Sequence, residues 1–268
     1  MRVKSISGKL TQLSGVPLSQ WRQFITGWLT RKSTGLVPCF LPHSTRILFV
    51  PLEDFYASYQ FFSESSAGRS ELGYFLHRLR PGDIFFDIGA FRGVYGAAAK
   101  ARLGDSVTIH LFDPVPTNVE KIKLISQLNH FRRFEIIERA VGTGNTIAGH
   151  LDQQDLMLRG TQILPASERA MMRSVSLDAY TQEQNVFPSI IKVDVEGFEL
   201  DVLEGAQRCL RENHPRLWLE LHPELLRTQG KYWESALEIL RSLGYRTTLF
   251  KDYDSSTRNT AFHVWCAK

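Results

Sequence analysis

From about residue 70 onward the chain alternates short apolar segments with longer amphipathic ones, an order that few topologies can satisfy. Strands are predicted at seven places: residues 83–87, 107–113, 134–137, 190–194, 217–221, 246–250 and 262–266. Helical periodicity lies between many of them, at residues 94–103, 117–128, 200–210 and 233–243. This alternation predicts an α/β fold with a doubly wound, mostly parallel sheet of seven strands.

The last two strands differ from the others because only the short polar segment 251–261 separates them. A parallel pair needs a crossover of a dozen or more residues, so these two strands should pair antiparallel. A mostly parallel sheet that ends in an antiparallel hairpin is the Rossmann-like pattern of class I, S-adenosylmethionine-dependent methyltransferases. An NAD-binding Rossmann domain would be parallel throughout.

Basic residues are concentrated at the start of the chain. The first 52 residues contain no Asp or Glu, and their basic residues are Arg2, Lys4, Lys9, Arg22, Arg31, Lys32 and Arg46. The whole chain has 32 basic and 28 acidic residues, so the part after residue 52 is slightly acidic. A nucleic-acid-binding protein usually spreads its basic residues over a folded face. We therefore expect no nucleic-acid partner.

Within this basic arm, large apolar residues recur at helical spacing: Leu18, Trp21, Phe24, Ile25, Trp28 and Leu29. The pattern predicts an amphipathic helix. We divide the chain into a basic N-terminal extension with this helix and a lead-in strand (residues 1–68), and a methyltransferase domain (residues 69–268). We expect the helix to pack on the catalytic body or on a second copy in a homo-oligomer. The alternatives are contact of residues 17–32 with an anionic membrane, and a cleaved transit peptide.

Cysteine usage and hydropathy suggest the compartment. Cys39, Cys209 and Cys266 form no C-x-x-C pair, so neither a disulfide framework nor a cysteine-built zinc site is expected. No run approaches the roughly 18–20 apolar residues that a membrane span needs. These features predict a cytoplasmic protein whose thiols stay reduced.

The first candidate binding segment is a strand-to-helix turn, where an apolar strand ends in Asp87 and glycines follow at positions 89 and 93. Gly89 and Gly93 would let the backbone approach a ligand at the helix N-terminus. The spacing is G-x-x-x-G and not the G-x-G-x-x-G of dinucleotide-binding domains, which disfavours NAD.

The second candidate is Asp113, which ends the next strand 24 positions after Gly89. An acidic residue at this place can accept hydrogen bonds from both hydroxyls of a ribose. The alternative role is a cap for the helix predicted from Thr117.

Two neighbouring strands turn polar toward their carboxyl ends. Lys192, Asp194 and Glu196 share one parity, and Glu220 and His222 do the same on the partner strand. Open α/β sheets bind ligands in the crevice at these strand ends. We therefore expect the carboxylates and the imidazole to meet in a site, while Lys192 and Glu220 could equally form a buried ion pair.

The chain resembles the FkbM-type methyltransferases over roughly residues 70–250. The most specific match is the block IKVDVEGFE at residues 191–199, followed by VLEGA at 202–206. DIGA at 87–90, together with Gly93, resembles the family's cofactor turn. Further matches are FDP at 112–114 with Pro116 and Asn118, AV at 140–141, SLDAY at 176–180 and ELHP at 220–223.

The resemblance implies that the cofactor is S-adenosylmethionine and that a methyl group passes to a hydroxyl of a sugar, a glycan or a natural product. The residues it assigns to cofactor binding are Asp87, Gly89, Ala90, Gly93, Asp113, Asn118, Ala140 and Asp194. The residues it assigns to catalysis are Asp194, Glu196, His222 and Lys192.

A hydroxyl acceptor keeps its proton at neutral pH, so a base should remove that proton as the new bond forms. Asp194, Glu196 and His222 are the candidates. If His222 is the base, turnover should rise with pH near the ordinary histidine pKa of about 6.5. If His222 is buried and bonded only to structural neighbours, Glu196 is the preferred base. No metal is expected, because the sequence lacks a compact ligand cluster.

The chain departs from the family's usual residues at Phe91 and Arg92, where Asn and a small aliphatic residue are common, and at Asp113, where Glu is commoner. These changes leave open a methyltransferase fold that only binds its cofactor, without turnover. An NAD-dependent sugar-modifying oxidoreductase is a further alternative, disfavoured by the glycine spacing. The polar segment 142–173 is expected to form an irregular excursion beside the site.

Overall fold

The structure, a computed structural model, describes residues 16–152, 157–159, 170–250 and 261–268. The chain divides into two compact units that interleave along the sequence. The first unit holds the residues up to Asp83, with Arg92–Thr108 and Glu120–Phe134. The second unit holds Ile84–Phe91, Ile109–Val119 and Glu135–Lys268.

The strands of the described residues are β1 Leu36–Cys39, β2 Leu48–Pro51, β3 Ile84–Ile88, β4 Thr108–Phe112, β5 Phe134–Ile137, β6 Ala140–Val141, β7 Thr146–Asp152, β8 Met157–Arg159, β9 Ala170–Val175, β10 Ile190–Val193, β11 Arg216–Leu221, β12 Arg246–Leu249 and β13 Phe262–Ala267. The α-helices are α1 Trp21–Thr34, α2 Leu52–Asp54, α3 Gln60–Glu64, α4 Ser66–Arg78, α5 Val94–Leu103, α6 Pro116–Leu128, α7 Leu177–Gln184, α8 Glu199–Glu204, α9 Gln207–Asn213, α10 Pro223–Thr228 and α11 Trp233–Ser242. Short 3-10 turns lie at Leu18–Gln20 and Gly104–Ser106, and a π turn at Phe55–Tyr59.

The main sheet has seven strands in the order β12-β13-β11-β10-β3-β4-β5. Strand β10 pairs parallel with both β3 and β11, whereas β13 pairs antiparallel with both β11 and β12. The predicted α/β fold, with a mostly parallel sheet and an antiparallel C-terminal hairpin, is therefore confirmed. Most of the segment between β12 and β13, residues 251–260, lies outside the described residues.

One predicted helix proves to be two. The sequence predicts a single helix over residues 200–210, but the chain forms α8 and α9 with an interruption at Gly205 and Ala206. A Cβ atom on Gly205 would collide with the carbonyl group of Gly142. Glycine is a poor helix former, and here it allows two backbone segments to touch.

The segment predicted as an irregular excursion, residues 142–173, is largely a second sheet. Strands β6, β9, β7 and β8 form a four-stranded sheet in that order, in the second unit. Residues 153–156 and 160–169 lie outside the described part of the chain. The sequence pattern missed this sheet because its described side chains are mixed, with Ile147 buried and Met171 exposed.

The first unit contains the N-terminal helix α1 and the antiparallel hairpin of β1 and β2. Phe24 and Trp28 of α1 are buried, and the Trp28 ring packs edge-on against Phe55 at 5.7 Å between ring centroids. The boundary predicted between residues 68 and 69 falls within α4 and stays a prediction. Among the described residues, no helix combines the length and apolar character that crossing a membrane requires.

Two strand ends meet closely at Gly89, just after β3. Its φ angle is +79°, and a Cβ atom there would collide with the backbone carbonyl of Asp194. The Gly89 amide donates a 2.9 Å hydrogen bond to the Phe112 carbonyl, and the Asp194 amide donates a 3.0 Å bond to Ile88. Glycine is therefore required at position 89 by both backbone conformation and space.

We predict that Gly89→Ala destabilises the protein more than Gly82→Ala does. Gly82 also has a positive φ, +90°, but open space where a Cβ would lie. The left-handed backbone should cost about 1–2 kcal/mol at either position. The displaced backbone of Asp194 should add about 1–3 kcal/mol at position 89 alone. Urea unfolding of the two variants measures the difference, and equal losses would contradict the close approach.

Candidate functional site

A cavity opens in the second unit where β3, β4 and β10 end. Its empty volume, which includes space open to solvent, is about 670 Å³. The lining residues are Ile88, Gly89, Phe91, Phe112, Asp113, Pro114, Val115, Asn118, Arg139, Ala140, Val141, Ile147, Asp194, Val195, Glu196 and Phe198. The cavity thus combines the glycine turn, the acidic end of β4 and the carboxylates that follow β10.

Asp113 is buried at the cavity wall and is already held by three protein donors. Its Oδ1 accepts from the Val115 amide at 3.0 Å and from the Asn118 side-chain amide at 3.0 Å. Its Oδ2 accepts from the Phe91 amide at 2.8 Å. Burial raises the pKa of Asp113 to about 6, although these hydrogen bonds oppose the rise. A carboxylate has about four acceptor positions, so about one remains for a ligand.

Lys192 lies buried beneath the cavity in β10. Its Nζ donates a 2.9 Å hydrogen bond to Oδ2 of Asp194 and lies 3.8 Å from Oδ1 of Asp87, its neighbour in register on β3. Burial would lower the pKa of this lysine, but the charges of Asp194, Asp87 and Glu220 outweigh burial and raise it. Lys192 therefore remains protonated and does not line the cavity.

His222 follows β11 and lies among four carboxylates. Its Nδ1 lies 2.7 Å from Oε1 of Glu199, which is fully buried. Its Nε2 lies 3.8–3.9 Å from one oxygen each of Asp194, Glu196 and Glu220. Burial would lower the pKa of this imidazole, but the hydrogen bond with Glu199 and the surrounding negative charges raise it to about 10.

A rise in turnover near pH 6.5 was expected only if His222 is the base, and the raised pKa of this imidazole argues against that role. An imidazole with a pKa of about 10 carries its proton at neutral pH and cannot take another. The cause is Glu199, which begins α8 and holds Nδ1 from the side away from the cavity lining. His222 therefore lies as a cation beside the carboxylates of Asp194, Glu196 and Glu220, and its role in the reaction stays a prediction.

Glu220 completes the cluster on β11. Its Oε2 lies 3.1 Å from Nε2 of His263 on β13. Burial would raise the pKa of Glu220, but the hydrogen bond and charge of His263, with the charges of His222 and Lys192, lower it to about 2. One potential metal-ligating atom from each of Asp194, Glu220 and His222 lies within 4.8 Å of the other two, close enough for one cation to bind all three. Lys192 and His263 already offset the negative charge of these carboxylates. That the site holds no metal stays a prediction.

Two residues of the cavity lining hold unusual backbone conformations. Glu196 and Phe91 have φ angles of +50° and +49°. Residues other than glycine rarely adopt this left-handed region, and doing so costs on the order of 1 kcal/mol or more. At Glu196 the turn directs the chain from the end of β10 into α8 and leaves the carboxylate in the cavity lining.

The predicted site residues fall into two groups. Gly89, Asp113, Asn118, Ala140, Asp194 and Glu196 line the cavity. Asp87, Ala90, Lys192 and His222 lie outside the lining, and Gly93 caps α5 in the first unit with a φ of +69°. The roles of these residues are not decided by their positions and stay predictions.

Several lining residues were not predicted. Arg139 is an exposed base just after β5, and Ile147 and Phe198 are apolar. The sequence contained a signal for Arg139, because this residue follows the end of β5 as Asp113 follows the end of β4. Arg92 departs from the residue that is usual in the family. It is buried in the first unit, where its Nη1 lies 3.6 Å from Oδ1 of Asp54.

The fold is that of a class I methyltransferase. The family model described as the methyltransferase FkbM domain matches residues 87–247. That match covers more than half of the 268 residues. The chain belongs to this family, and its enzyme class is that of the S-adenosylmethionine-dependent methyltransferases. No curated protein matches the chain significantly.

Several solved methyltransferase structures are similar to the chain at low identity. Methyltransferase FkbM from Methylobacillus flagellatus KT is 18% identical with a TM-score of 0.47, over 80% of this chain and 54% of its own. Precorrin-6y C5,15-methyltransferase from Geobacter metallireducens GS-15 is 15% identical with a TM-score of 0.43, over 74% and 87%. Fibrillarin from Aeropyrum pernix is 11% identical with a TM-score of 0.44, over 70% and 67%. The chain therefore spans about half the length of the FkbM structure.

We predict that His222 stabilises the fold most at low pH. A histidine whose pKa is raised on folding contributes stability that is present below its unfolded pKa of about 6.5 and is lost as pH rises through about 10. His222→Gln should therefore lower the free energy of unfolding by a few kcal/mol at pH 6, since one pKa unit is worth about 1.4 kcal/mol. The deficit should shrink toward pH 10.

Urea unfolding of the wild type and the variant across this pH range measures the deficit. His214→Gln is the control, because His214 is exposed and forms no carboxylate pair within the described residues. A deficit that stays constant with pH would show that His222 is not charged by its neighbours.

Proposed function

We propose that the chain binds S-adenosylmethionine in the cavity of the second unit and methylates a hydroxyl of a sugar, a glycan or a natural product. The observation that carries this proposal is that Asp194 and Glu196 line the same cavity as Gly89 of the glycine turn and Asp113. The family supports a methyltransferase, and the carboxylates support an acceptor that must lose a proton.

The cavity residues fit the cofactor by charge and by shape. S-adenosylmethionine supplies an electrophilic methyl group on a sulfonium, and it also carries an ammonium group. Asp194 offers a carboxylate for these cationic groups. The remaining acceptor position on Asp113 suits one ribose hydroxyl, so the predicted contact to both hydroxyls reduces to one. Phe112, Val141 and Ile147 offer apolar contacts for a planar base.

Glu196 is the group we assign to the acceptor proton. It lines the cavity, and its neighbour His222 is already protonated. The carboxylate of Asp194 is already engaged, because its Oδ2 accepts a 2.9 Å hydrogen bond from the Lys192 ammonium. In this proposal His222 and Lys192 are positioning residues that hold the two carboxylates. No step requires a metal ion.

We predict that S-adenosylhomocysteine binds and that NAD does not. Asp113→Asn should weaken the binding about 10- to 100-fold, because one hydrogen bond to a charged acceptor is worth about 1.5–3 kcal/mol. Titration calorimetry measures both ligands. Asp178→Asn is the matched control, because Asp178 accepts bonds from the Arg208 and Cys209 amides away from the cavity. Unchanged affinity in the Asp113 variant would remove this residue from the site, and NAD binding would favour the oxidoreductase alternative.

We predict that Glu196→Gln lowers turnover by roughly 10²–10⁴ and leaves S-adenosylhomocysteine affinity within a few-fold, because general-base catalysis contributes about that factor. The wild-type rate should also show no rise centred near pH 6.5, since His222 does not titrate there. Mass spectrometry for an added methyl group, on pooled glycans and secondary metabolites, supplies the assay.

Glu183→Gln, a change at an exposed glutamate outside the cavity, should have full activity. Full activity of the Glu196→Gln variant would show that another group removes the proton of the acceptor. Cofactor binding without turnover on any hydroxylated acceptor would favour a binding module, and methylated RNA would overturn the acceptor class. The cytoplasmic location stays a prediction.

A further inference from the structure

Helix α1 carries large apolar side chains on two faces. On one face, Phe24 and Trp28 are buried within the first unit, and Gly27 lies against the ring of Pro38. A second set is exposed: Leu18 by 79%, Trp21 by 40%, Ile25 by 45% and Leu29 by 77%. We call this second set the exposed stripe. Packing within the unit therefore explains only two of the six large apolar residues of this segment.

The exposed stripe follows the period of a helix. Its members are separated by three, four and four residues, the spacing that aligns side chains along one helix face. Leu18 belongs to the 3-10 turn that leads directly into α1. Scattered exposed apolar residues are ordinary on a protein surface, but a row of four on one face marks an interaction surface.

Positive charges border the exposed stripe. Arg22 lies four residues after Leu18 and three before Ile25, and Lys32 lies three after Leu29, so both share the stripe's side of the helix. Both are exposed, and neither has a carboxylate partner among the described residues. Arg31, in contrast, lies over the ring of Trp28 and donates to its carbonyl.

The charge pattern favours a membrane surface over a second copy of the chain. The first 52 residues contain no acidic residue, so two copies joined through this face would bring like charges together. An anionic lipid surface attracts basic residues, and its interface accepts Trp and aliphatic side chains. A basic, acid-free helix with an apolar row fits that surface in both respects.

We propose that the exposed stripe of α1 lies in the interface of an anionic membrane, with Arg22 and Lys32 at the lipid headgroups. The helix lies along the membrane surface and does not cross it. This binding is separate from the proposed methyl transfer and needs none of the cavity residues.

The experiment uses the full chain and two kinds of vesicle, phosphatidylcholine alone and phosphatidylcholine with one third phosphatidylserine. Cosedimentation should show binding to the anionic vesicles, weakening with salt, and little binding to the neutral ones. Arg22→Gln and Lys32→Gln should each lower the partition coefficient about fivefold. Ile25→Ser with Leu29→Ser should lower it at least tenfold. Trp21 fluorescence should shift to the blue on binding.

Matched controls separate this surface from general effects. Arg132→Gln removes an exposed base that is not part of α1, and Phe187→Ser removes an exposed aromatic of the second unit, so neither should change the partition coefficient. Equal binding to neutral vesicles, or no loss in the variants of α1, would overturn the proposal. A change in oligomeric state by light scattering, without vesicle binding, would assign the face to a second copy.

Discussion

The buried ion pairs of Lys192 hold the centre of the site together. A charged ammonium group inside a sheet is costly unless carboxylates surround it. Here Asp87 lies beside Lys192 in register on β3, and Asp194 follows on its own strand. The lysine therefore fixes the carboxylates of two adjacent strands. Removing it would leave Asp87, which is almost fully buried, without its compensating charge.

The same carboxylates determine the state of His222. Glu199 holds one ring nitrogen from within the fold, and three acidic side chains surround the other at 3.8–3.9 Å. These four carboxylates favour the protonated, imidazolium form of His222 at neutral pH. The histidine thereby reduces repulsion among the carboxylates. Site chemistry and fold stability depend here on one set of contacts.

The sequence was sufficient for features that depend on local periodicity and on strand ends. Alternating segments predicted the seven-stranded sheet, and parity predicted that Asp194 and Glu196 reach a common site. Features that depend on distant neighbours were missed. The pKa of His222 depends on Glu199, 23 positions earlier, and the break at Gly205 on the carbonyl of Gly142. Neither contact can be recognised from the pattern of neighbouring residues in the sequence.

The N-terminal helix shows a further limit of periodicity. A wide apolar stripe predicts that a helix buries one face, but it does not say how much of the stripe the fold can cover. In the described chain, Phe24 and Trp28 reach the interior, while Leu18 and Leu29 stay at the surface. The covered part stabilises the first unit, so the uncovered part adds nothing to its packing. This exposed apolar row is bordered by Arg22 and Lys32, which pair with no carboxylate in the described part of the chain, and a surface outside the protein explains it better.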